Sequence, residues 1–112
     1  MIPDRLAGDT WLLLPNDRLR LRFLVVQREV TAAPVLRLEA SVPPDRYRDP
    51  RFGYVLLDGG STVPLREFAP EATFEVPVEV ARRGAIRVEV RDGERGRAAE
   101  RAQLDRTLTR GL

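Results

Sequence analysis

Residues 73–92 read TFEVPVEVARRGAIRVEVRD, and this stretch decides the fold class. Phe74, Val76, Val78 and Val80 alternate with Thr73, Glu75, Pro77 and Glu79. Ile86, Val88 and Val90 then alternate with Arg87, Glu89 and Arg91. A period of two is the mark of a half-buried strand. Read as a hairpin closed by Arg82-Arg83-Gly84, the stretch sets Val80 against Ile86, Val78 against Val88 and Val76 against Val90. Glu79 then meets Arg87 and Glu75 meets Arg91 on the outer face. Pro77 cannot donate to a ladder, which predicts one free edge for its strand.

Working outward, Gly59-Gly60 reads as a two-residue turn between strands at 53–58 and 61–66. It puts Leu56 opposite Val63 and Tyr54 opposite Leu65. Further strands are expected at 10–14, 18–27 and 35–42, giving seven in all. The second changes phase: Arg18, Arg20 and Arg22 alternate with Leu19, Leu21 and Phe23, and then Leu24, Val25 and Val26 run together. Either a bulge near Leu24 or burial of both faces accounts for that. Thr10 to Leu14 is apolar on both faces, as a strand at a subunit contact or one bridging the two sheets would be.

After Asp92-Gly93 the pattern changes. Residues 94–108 are rich in helix formers, with a thin stripe of Ala98, Ala102, Leu104 and Leu108. The expectation is an all-β body over 1–93, a seven-stranded antiparallel sandwich, followed by a C-terminal helical arm over 94–112. Such a helix is marginal in water unless it docks.

Composition narrows the function. The 112 residues contain no His, no Cys and no Lys, and all 19 cations are Arg. The missing types supply most general bases, covalent nucleophiles and soft-metal ligands. No enzyme activity and no cofactor is expected, and a pH switch near neutrality lacks its usual residue. The isoelectric point near 9.9 overstates the positive charge, because the formal net charge is only +2. Arginine-only usage fits a GC-rich genome; arginine is also the better residue for packed bidentate contacts. No apolar run reaches the length of a membrane span. The opening residues lack a secretory signal's apolar stretch, so synthesis in the cytoplasm is expected.

Four features are weighed as sites. The irregular segment 43–52 gathers Arg46, Tyr47, Arg48, Arg51 and Phe52, residue types that anchor protein interfaces. With Trp11 and Leu13 of the first strand and Leu104 and Leu108 of the arm, it forms the expected partner-binding set. Arg18, Arg20 and Arg22 form an alternative polyanion or nucleic-acid stripe, set against a solvated face that pairs with nearby Glu. Turn carboxylates at Asp17, Asp45, Asp49, Asp58 and Asp92 lack calcium-loop spacing, and no metal is expected. A two-carboxylate hydrolase would need a cleft that so small a body has little material to build.

The run 73–80, Arg83-Gly84 and 85–92 resembles the closing strands of an immunoglobulin-like or fibronectin-type sandwich, over residues 9–93. The antibody-type core is absent: there is no Cys pair, and Trp11 falls on the first strand, not the third. The resemblance implies a structural or adaptor subunit that works through protein–protein contacts. It implies a homo-oligomer or a hetero-assembly, of the kind found in phage particles and tails, pili and adhesion proteins.

Overall fold

The computed structural model describes residues 10–13, 18–94 and 100–104, the first four as backbone. Eight strands and one short helix follow in order. They are β1 (Thr10–Leu13), β2 (Arg20–Val26), β3 (Val35–Ser41), β4 (Pro50–Asp58), β5 (Ser61–Ala69), β6 (Thr73–Pro77), α1 (Val78–Ala81), β7 (Ala85–Asp92) and β8 (Glu100–Leu104). They form two antiparallel four-stranded sheets, ordered β1-β2-β3-β6 and β5-β4-β7-β8.

Both sheets feed one core. Leu21, Phe23, Val25, Leu36, Leu38 and Val76 come from the first sheet. Phe52, Tyr54, Leu56, Ile86, Val88, Val90, Ala102 and Leu104 come from the second. Alternation along each strand places these side chains inward, so the period-two reading of the sequence is the reading the core uses. β2 holds one continuous register against β3, from Arg20–Ser41 to Val26–Val35. No bulge flips its phase. Leu24 and Val26 are half-buried on the outer face instead.

The hairpin expected over residues 73–92 does not form. β6 pairs with β3, and β7 pairs with β4 and β8, in the opposite sheet. Val76 lies opposite Leu36, Val88 opposite Tyr54 and Ala102, and Val90 opposite Phe52 and Glu100. The cause lies at Pro77. Beyond it the chain makes one helical turn, and Val78 and Ala81, three residues apart, are the buried pair. That spacing is helical, and Val80 is only half-buried. The turn carries the chain from one sheet to the other, anchored where Val78 N–H donates to the Pro34 carbonyl at 3.1 Å. Glu75 therefore pairs with Arg28 and lies opposite Arg37. Among the described residues β6 has a free edge, as Pro77 predicts.

The expected helix over 94–108 is also corrected. Residues 100–104 form a strand at the edge of the second sheet, with Ala102 and Leu104 buried and Arg101 and Gln103 exposed. Helix propensity is a weak prior here. The open ladder of β7 and core positions beside Val88 and Ile86 override it. Residues 95–99 and 105–112, including Ala98 and Leu108, lie outside the described residues.

The Gly59-Gly60 turn forms as read, with φ of 55° and 91°, and sets Leu56 against Val63. Two positive φ values in a two-residue loop match the twist of the flanking strands. Farther along, β5 gains residues relative to β4. Tyr54 meets Arg66 instead of Leu65, and Phe52 meets Ala69. These bulges bend β5 across the sheet.

Candidate functional site

The segment between β3 and β4 is the best-defined surface feature the sequence singles out. It is held at its base by Asp92, at the end of β7. The Asp92 carboxylate accepts from the Asp49 N–H at 2.7 Å and the Arg48 N–H at 3.4 Å. Gly93, at a φ of 77°, donates its N–H to the Asp49 carbonyl at 2.8 Å. Arg46 N–H donates to the Pro43 carbonyl at 3.2 Å and closes the turn. A loop whose backbone donors are taken up in this way is a fixed platform for its side chains.

On that platform Arg46 and Arg48 are exposed and Tyr47 is half-buried, its ring against the core. Burial pushes the Tyr47 phenol above its ordinary pKa, and Glu100 adds to the effect. Arg18 and Arg46 oppose the shift and Asp92 adds to it. Arg18 makes an ion pair to Glu100 at 3.0 Å, joining the chain before β2 to β8. Arg51 reaches back to Asp49 at 3.1 Å and Glu94 at 3.8 Å.

Two residues leave the expected partner-binding set. Phe52 is 4% exposed and Leu104 is 0% exposed. Both point into the core, because each occupies an inward position of its strand. In the register of β1, Trp11 lies opposite Arg22 and Leu13 opposite Arg20. The side chains of Trp11 and Leu13, like all of Leu108, lie outside the described residues.

The Arg18, Arg20 and Arg22 stripe is compensated. Arg22 makes a forked pair with Glu39, at 2.7 Å to one oxygen, and Arg18 holds Glu100. Arg20 is exposed opposite Ser41. Among the described residues, no group of three His, Cys, Asp or Glu is placed to hold a metal ion.

No family model, curated protein or solved structure matches the chain. The site's meaning therefore rests on its own geometry.

That geometry includes residues the sequence reading passed over. Arg66 is half-buried at the bulge. Its guanidinium donates to the carbonyls of Phe52 at 2.8 Å, Glu71 at 2.5 Å and Thr73 at 3.3 Å. It lies 5.2 Å from the centre of the Tyr54 ring, which stacks on Phe74 at 5.1 Å. The Tyr54 hydroxyl donates to the Ala72 carbonyl. Beside this knot, Phe68 packs over Gly53 and Arg91 lies over Phe68, 4.3 Å from the ring centre. Gly53 inside a strand pattern was the one available signal, since such a glycine marks a bulge or a close approach.

Proposed function

We propose that this chain is a non-enzymatic structural or adaptor subunit of a larger assembly, acting through protein–protein contacts made by the 42–49 loop. The observation that carries the reading is the anchoring of that loop by Asp92 and Gly93, with Arg46 and Arg48 outward and Tyr47 wedged at its base. Arginine and tyrosine dominate interface hot spots. A rigid mount lowers the ordering cost of binding through them.

The strand order supports the immunoglobulin-like or fibronectin-type reading of the body. Counted from β2, the order β2-β3-β6 follows an A-B-E sheet, and β5-β4-β7-β8 follows C′-C-F-G. β1 is then an additional strand on the edge of the first sheet. In this reading the partners are other protein subunits, beginning with further copies of the chain, and a phage particle or tail is one assembly that uses such modules.

The test is the oligomeric state of the purified chain. A defined oligomer that dissociates in the folded Arg46→Glu/Arg48→Glu double variant supports the reading. A monomer at every concentration removes its support.

A further inference from the structure

The geometry points to a second, separate site: a recess on the outer face of the second sheet, centred on Arg91 and suited to a single Asp or Glu side chain on a segment of a partner protein. The recess has a volume of about 350 Å³ and is lined by Gly53, Val55, Pro64, Phe68, Glu89 and Arg91, among others.

Three observations converge on Arg91. It lies directly opposite Arg51 in the β4–β7 register. Like charges so placed destabilise a sheet unless compensated. Arg51 is compensated by Asp49 and Glu94, but Arg91 has no ion-pair partner among the described residues. The acid on the same face of its strand, Glu89, is already committed: its carboxylate lies 3.2 Å from Arg87 Nε and 3.6 Å from Arg101 Nε. Finally, Arg91 Nε is buried without a hydrogen bond. The guanidinium carbon sits over the Phe68 ring, 4.3 Å from its centre, a contact that restricts the group before any ligand arrives.

A restricted, unpaired guanidinium is a bidentate receptor for a planar carboxylate. Val55, Pro64 and Phe68 supply an apolar wall for the methylene stem that carries it. The absent side chain of Gly53 keeps the recess in this form, because a Cβ there would stand 3.2 Å from the Phe68 ring. A phosphate group fits less well. Glu67 and Glu89 also line the recess, and a dianion would meet both. The other lining guanidinium, Arg66, is taken up by three carbonyls.

The site is independent of the 42–49 loop, and its test keeps the two apart. A fluorescent peptide carrying one Glu among neutral residues is titrated into the full chain at low salt, with inorganic phosphate and a single-stranded oligonucleotide as competitors. The peptide should bind saturably and shift the Arg91 Nε–H resonance. Affinity should fall about tenfold in Arg91→Gln, the scale of one lost charge-assisted contact. Phe68→Leu, which removes the stacking face, should weaken it in the same direction. Arg46→Glu/Arg48→Glu should leave the Nε–H shift in place. No saturable binding, binding unchanged in folded Arg91→Gln and Phe68→Leu, or displacement by phosphate or the oligonucleotide as readily as by unlabelled peptide would overturn the assignment.

Discussion

The carbonyl oxygen of Leu57 lies 2.0 Å from the point where a Cβ on Gly84 would stand. No side chain fits there without moving the backbone of β4. Gly84 is not among the glycines at positive φ, so its role is close approach and not turn geometry. Gly84→Ala should therefore destabilise the fold by at least the 1–3 kcal/mol or so typical of overpacking. Gly59→Asn should be nearly neutral, since nothing crowds that position and Asn tolerates its left-handed backbone. Urea denaturation of the two variants measures the contrast.

Arg66 holds the seam where β5 crosses toward β6. Arg66→Ala strips the Phe52, Glu71 and Thr73 carbonyls of a charged donor and removes the cation from the Tyr54 and Phe74 rings. A loss of about 1.5–3 kcal/mol is expected in denaturant melts, the range for hydrogen bonds to charged groups. Arg66→Lys should recover little of it, because one ammonium cannot reproduce the planar fork.

β8 stabilises the body through Leu104, which is fully buried and lies opposite Ile86. Leu104→Ala should cost about 2–5 kcal/mol, as large-to-small core substitutions do. Arg101→Ala and Gln103→Ala should cost far less. Protection of alternate amides across 100–104 from hydrogen exchange would accompany this. A uniform response along the segment would not fit a strand edge.

The two tyrosines make stability depend on alkaline pH. Burial raises the Tyr54 phenol far above its ordinary pKa, with Arg66 opposing and Glu39 adding, and burial raises Tyr47 as well. A phenol whose folded pKa is raised favours folding in full below its unfolded value of about 10. That contribution is lost as pH rises toward the folded values. Ultraviolet titration should find both phenols ionising late, and melts should weaken above about pH 10. At the acid end, Glu75 is held below its ordinary range by its hydrogen bond from Arg28. Its share of stability is lost as pH falls through that lowered value.

The strands up to Asp92 were legible from the sequence because the period-two pattern is read directly by the core. Pairing was not. Phe74 to Val80 alternates without interruption, and nothing local says that Val78 begins a helical turn. Only the need to reach the other sheet selects the 78/81 pair. Residues 94–108 carry helix formers, yet the open edge of β7 takes Ala102 and Leu104 as a strand. The Arg/Tyr loop was visible as composition, but its anchor was not, since Asp92 lies 43 residues from Asp49. Phe52 and Leu104 looked like contact residues because composition does not reveal which way a strand residue points. Arg91 reads in the sequence as the partner of Glu75 across a hairpin that does not form; its place beside Phe68 depends on the bulges that bring that ring over Gly53.

The most direct measurement is sedimentation velocity of the purified chain across a range of concentrations, beside Arg46→Glu/Arg48→Glu. The account predicts a discrete oligomer for the natural sequence and a folded monomer for the variant. A natural chain that stays monomeric throughout, or an oligomer indifferent to reversing both loop arginines, would contradict it.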